Sequence, residues 1–219
     1  MASYRDEFVR ESRARLLVAP ASSLLKSNDE DNTILLPLKE FGGMIWPYSP
    51  NITVSHNAMY GEYDITHTNY TQHYFQKSQP SEIQVDGQFT AQTQAEASYM
   101  LAVLHFLRIV TKMNFGLDDP KRGTPPPILY FSAYGDLVFY NVPVLVKNVA
   151  YALPNDVDYV EHMTDAQVQG PGGYVWDNRL PTMMTISCTL GIQPTPNKMR
   201  AEWNMNDFKS GKLVNKGYI

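Results

Sequence analysis

The sequence predicts a mainly β chain with one long α-helix, a single sheet domain flanked by an N-terminal arm and a C-terminal tail. Two runs of strict alternation and one helical period carry that prediction. Ile83, Val85, Gly87 and Phe89 alternate with Gln84, Asp86, Gln88 and Thr90. Met184, Ile186, Cys188, Leu190 and Ile192 alternate with Thr185, Ser187, Thr189, Gly191 and Gln193. Side chains of a strand point alternately to its two faces, so each run has one apolar and one neutral-polar face. Between them, Met100, Val103, Leu104, Leu107, Val110 and Thr111 recur at the spacing of one helix face.

The elements follow in order. Residues 4–16 have a helical pattern, with Tyr4, Phe8 and Val9 on one side and Arg5, Arg10, Arg13 and Arg15 elsewhere. A helix this short needs something to dock on. Residues 27–32 are a polar loop, and residues 1–43 together read as an arm outside the core. Ile52, Val54 and His56 alternate with polar neighbours. Residues 60–74, rich in Tyr, Thr and His, read as a strand or long hairpin. Thr93 and Glu96 have capping-box spacing for a helix over 93–115, which Gly116 would end. A hairpin follows over 128–140, turning at Gly135-Asp136. Residues 142–153 form another strand, in which Pro143 suggests an edge or bend. Residues 155–179 read as a long loop, and 181–193 as the last strand. The tail, 196–219, carries Trp203, Phe208 and Tyr218 among polar residues, and it is expected to pack on a neighbouring chain.

Composition narrows the function. The 219 residues carry 18 Lys+Arg and 22 Asp+Glu, a formal charge of −4 with no basic stripe, which argues against tight non-specific nucleic-acid binding. Cys188 is the only cysteine, so neither an intrachain disulfide nor a thiolate cluster is possible, and assembly in a reducing compartment is expected. No run approaches the roughly 20 apolar residues of a membrane helix, and the first residues lack a signal-peptide apolar stretch. A soluble chain without a membrane anchor is expected.

A search for chemistry returns weak candidates. His67 and His73 with Asp64 could ligate a metal, but their spacing fits no zinc pattern. His105 sits on the helix with no nameable partner for a general base. Asp156 and Asp158 could face one way on a strand and bind calcium, but a turn after Leu153-Pro154 explains them and is the preferred reading. Ser187 and Cys188 lie mid-strand, away from any nucleophile elbow. Gly42-Gly43 and Gly172-Gly173 lack the lysine of a phosphate loop. No catalytic residue, cofactor site or metal site is expected, and the chain reads as a non-enzyme.

The two amphipathic strands supply the sharper clue. Their outward faces, Gln84, Asp86 and Gln88 on one and Thr185, Ser187 and Thr189 on the other, contain no Lys or Arg. Such a face suits the wall of a channel that passes DNA, because basic groups would hold phosphate; an ordinary solvated sheet face would look the same. The succession strand 83–90, helix 93–115, hairpin 128–140, strand 142–153 and strand 181–193 resembles the tail-tube fold. The likeness is to the tube and tube-initiating baseplate proteins of contractile-tailed bacteriophages. The phrases that carry it are Ser49-Pro50-Asn51-Ile52-Thr53-Val54, the junction from Gln88 to Ala97, and the strand from Thr182 to Ile192. It spans roughly residues 44–195, the expected β domain.

The resemblance implies a β-sandwich or barrel subunit and a homo-oligomeric ring, a hexamer, whose sheets join edge to edge. It also implies neighbours among tube, hub and baseplate proteins, DNA passing through the lumen without specific binding, assembly in the host cytoplasm, and a place in the virion. The six residues Gln84, Asp86, Gln88, Thr185, Ser187 and Thr189 would face the lumen. Phe8, Trp46, Trp203, Phe208 and Tyr218 are the candidates for contacts between subunits. A wedge or connector protein of the same baseplate is the alternative, and a carbohydrate- or peptide-binding β-sandwich using the Tyr60–Tyr74 hairpin is a third reading.

Overall fold

The computed structural model describes residues 12–19, 22, 24–25, 33–79, 82–116, 121–163 and 177–219. Among them, seven strands form one antiparallel sheet: β1 (Arg15–Val18), β2 (Gly43–Ile45), β3 (Asn51–Val54), β6 (Glu82–Thr90), β7 (Leu129–Ala133), β8 (Phe139–Ala152) and β11 (Met183–Ile192). The order across the sheet is β2-β1-β7-β8-β11-β6-β3. Two further ladders are two-stranded: β4 (Asn57–Tyr63) with β5 (Gln72–Gln79), and β9 (Tyr159–Met163) with β10 (Asp177–Pro181). The whole is a mixed α/β fold, one large sheet with a few helices.

Two long hairpins organise it. β3 and β6 are paired, and the chain between them runs out and back as β4 and β5. β8 and β11 are paired in the same way, with β9 and β10 between them. The stretch read as a 155–179 loop therefore begins and ends in a ladder, with Val160 opposite Leu180. Residues 164–176 lie outside the described residues.

The helix starts where its cap requires. The Thr93 hydroxyl accepts the Glu96 N–H at 3.3 Å, and the Glu96 carboxylate accepts the N–H groups of Gln92 and Thr93. Such a cap stabilises a helix by about 1 kcal/mol. After α1 (Leu36–Lys39), this helix, α2 (Gln94–Ile109), buries Ala97, Met100, Val103, Leu104, Phe106 and Leu107. Together they meet the sheet face of Ile83, Val85, Phe89, Met184, Ile186 and Leu190 in one core.

α2 ends at 109, before the expected 115. Thr111 turns its hydroxyl onto the Arg108 carbonyl at 2.9 Å, and Asn114 exchanges backbone bonds with Gly123 and Thr124. A competing backbone partner thus replaces the next helical turn.

Within the arm expected over 1–43, the described residues of β1, the 3₁₀ turn at Thr33–Leu35 and α1 belong to the core instead. Leu16, Leu35, Leu38 and Met44 are fully buried, and β1 pairs with β7 in the register Leu16↔Phe131. Of the helix expected over 4–16, the described part is not helical, and Arg15 and Leu16 begin β1; residues 1–11 lie outside the described residues. Pro143 lies inside the sheet, not at an edge. Its carbonyl accepts the Gln193 N–H at 2.9 Å, one residue past the end of β11, so its missing donor costs only the last rung of the β8–β11 ladder.

A neutral-polar sheet face and its flanking surfaces

The polar face is assembled by register. Alternation exposes Gln84, Asp86 and Gln88 on β6 and buries Val85, Gly87 and Phe89 between them. On β11 it turns Thr185, Ser187 and Thr189 to the same side, with Ile186, Cys188 and Leu190 buried. The two strands pair Gln88 with Thr185, Asp86 with Ser187 and Gln84 with Thr189. All six residues predicted from the sequence therefore share one face, in three rows.

The rows are wider than the sequence suggested. β3 adds Asn51 opposite Asp86 and Thr53 opposite Gln84. β8 adds Asn148, Ala150 and Ala152 opposite Thr189, Ser187 and Thr185. The period-2 run 148–152 could have revealed the β8 part. A bulge beside Thr189 breaks the register there and hides the alternation from a reading of 142–153 as one uniform strand.

Charge on this face is sparse. At its end Lys147 lies across Gly191 and reaches the Glu82 carboxylate at 2.6 Å, so that cation is closed on a neighbour. Along the three rows Asp86 is the one charged side chain, and no Lys or Arg stands in them. Beneath the face, burial pushes the Cys188 thiol up to about 12, and the nearby Asp86 carboxylate adds to the shift. A buried thiol held protonated is a packing group, not a nucleophile.

The other chemical candidates do not assemble into a site. His73 stands opposite Glu62 in the β4–β5 ladder, and His67 lies in the connecting turn with a left-handed φ of 66°. Among the described residues, no three His, Cys, Asp or Glu side chains come together as a metal cluster would. Burial, with a smaller contribution from Arg108, lowers the His105 pKa.

The expected inter-subunit residues divide. Trp46 is fully buried inside the chain, so its assignment to an interface is corrected. Its ring meets Phe131 edge-on at 6.2 Å and lies over Gly87, where an added Cβ would come within 2.1 Å of the indole. Tyr218 is also buried against its own chain. The tail folds back as α3 (Pro196–Glu202), α4 (Met205–Lys209) and a 3₁₀ turn at Val214–Lys216, with Leu213 buried and Gly217 against Asn141 and Pro143 of β8. The end of the tail, expected to pack on a neighbour, thus packs on its own domain. Trp203 remains 42% exposed, stacked loosely on Phe208 at 6.5 Å. Phe8 lies outside the described residues.

Among the described residues, the β4–β5 ribbon gathers several exposed aromatic side chains. Tyr60 and Phe75 meet edge to face at 5.8 Å on one side, while Tyr63 and Tyr74 stand on the other, all more than half exposed. At about 3.3 Å per residue the ribbon projects roughly 25 Å. A two-stranded ribbon alone is marginal in water, and aromatic groups on both sides call for a partner.

Among known proteins, the chain matches no family model and no curated sequence.

Proposed function

We propose that this chain is a non-enzymatic structural subunit of a contractile phage tail, a tail-tube or tube-initiator protein of the baseplate. Six copies close into a ring around the central channel. In that ring the polar face of β3, β6, β11 and β8 forms the lumen wall, α2 lies outside, and the sheets of neighbours join into one barrel. DNA passes without specific binding along a wall of amides and hydroxyls in which Asp86 is the one charged group and no Lys or Arg stands. The subunit assembles in the host cytoplasm and ends in the virion, among tube, hub and baseplate proteins.

One observation carries the reading. Four adjacent strands present rows of polar side chains with a single carboxylate, Asp86, and no Lys or Arg, backed by an apolar core. A channel for a polyanion needs a wall that wets but does not grip phosphate. The projecting aromatic ribbon supports self-assembly, because its exposed rings ask for a neighbouring chain.

A carbohydrate-binding role has less support. Its aromatic platform would be concave and one-sided, whereas Tyr60, Tyr63, Tyr74 and Phe75 occupy both sides of a free ribbon. A wedge or connector protein would share the ribbon but would not need a face free of Lys and Arg. Native mass spectrometry of the purified chain tests the proposal: a sixfold closed species is expected, and a monomer at all concentrations would overturn it.

A further inference from the structure

We infer that the tip of the β4–β5 ribbon of one copy seats in the groove between the ribbon root and the C-terminal helices of a second copy, a head-to-tail contact. This rests on the reading of the chain as a self-assembling subunit. The groove holds about 750 Å³, within the rough 300–1,000 Å³ range of sites that enclose an apolar group. Ile192, Met199, Trp203 and Phe208 line it, and His56 to Ala58 with Ser78, the ribbon root, form the opposite wall.

Charge selects the occupant. The outer half of the ribbon carries Glu62 and Asp64 and no Lys or Arg; Lys77, its one cation, stands near the root opposite Met59. The segment 196–219 carries Lys198, Arg200, Lys209, Lys212 and Lys216 against Glu202 and Asp207. Of these cations, Lys212 is paired with Asp207 at 3.4 Å, while Arg200 and Lys209 are exposed. An acidic tip bearing Tyr63, Ile65 and the 84% exposed Tyr70 therefore meets an apolar groove on a basic segment.

The donor is a second chain. The ribbon root is itself a wall of the groove and the ribbon runs outward, so its own tip would have to break the ladder to return. A contact between two different patches is heterologous, so it closes into a ring or propagates as a stack.

Cysteine cross-linking tests the contact directly, because the native Cys188 thiol is buried. An Asn69→Cys chain is mixed with a Met199→Cys chain under mild oxidation. A mixed disulfide is expected, and Glu62→Lys with Asp64→Lys on the first chain should slow its formation about tenfold or more. Arg200→Glu with Lys209→Glu on the second chain should restore the rate. Circular dichroism of each variant shows that it folds. Folded variants that give no mixed disulfide overturn the inference, as does a rate indifferent to both charge reversals. Sixfold rings without the cross-link defeat this contact and leave the ring reading intact. A cross-link confined to dimers or open chains does the reverse.

Discussion

The Tyr99 hydroxyl occupies both backbone groups of Ile45. It accepts the Ile45 N–H at 2.7 Å and donates to the Ile45 carbonyl at 2.7 Å. Ile45 lies on β2, the outermost strand on one side of the sheet, so helix α2 closes that edge within the chain.

Tyr99→Phe should remove both bonds and leave two buried backbone groups unpaired, at a cost of about 1–3 kcal/mol in chemical denaturation. Burial pushes the Tyr99 phenol up to about 12, with the Ile45 hydrogen bond opposing. The folded state therefore holds this proton more tightly than the unfolded one. Its contribution is complete below pH 10 and is lost as pH rises from 10 toward 12. Alkaline melts of wild type should fall across that window more steeply than those of Tyr99→Phe; parallel curves would contradict the assignment.

Gly87→Ala would drive a methyl group into Trp46. Overpacking of this kind costs about 1–3 kcal/mol. The variant should melt earlier and show red-shifted indole emission as Trp46 is displaced. An unchanged spectrum and melting temperature would mean that the indole does not lie on Gly87.

Cys188 should be silent toward Ellman's reagent at pH 8 in the folded protein and release one equivalent in denaturant. Its burial and its raised pKa both withhold the thiolate. Rapid native-state labelling would place it at the surface.

Thr185→Lys places a cation on the polar face. Thr185 is exposed, so the isolated chain should keep its stability within about 0.5 kcal/mol. In a ring, the same change lines the channel with ammonium groups that bind phosphate. On the proposed tail role, complementation of a phage lacking this protein should fail with Thr185→Lys and succeed with Thr185→Gln. Equal infectivity from the two would place Thr185 away from the DNA path.

The centre of the fold was legible because its signals are local. Period-2 alternation in 83–90 and 184–192 carries its own burial pattern, and Thr93 with Glu96 marks the helix start within four residues. The periphery was not. β1 and β2 are four and three residues long, too short for a period, and β1 finds β7 more than a hundred residues away. Trp46, beside Pro47, resembles a surface anchor until Gly87 is seen to leave a socket opposite it. That glycine, set in the apolar row of Ile83, Val85 and Phe89, was the available hint, since a missing side chain in a core row needs a filler. The tail's aromatic residues were visible, but which of them turn inward depends on Gly217 and the start of β8, a contact no local pattern encodes.

The most direct measurement is an electron-microscopic end view of the assembled protein carrying a heavy-atom label at Ser187→Cys, midway along the three rows. Six densities on the rim of a central hole are expected. Labels on the outer wall, or particles with no sixfold hole, would contradict the proposed lumen.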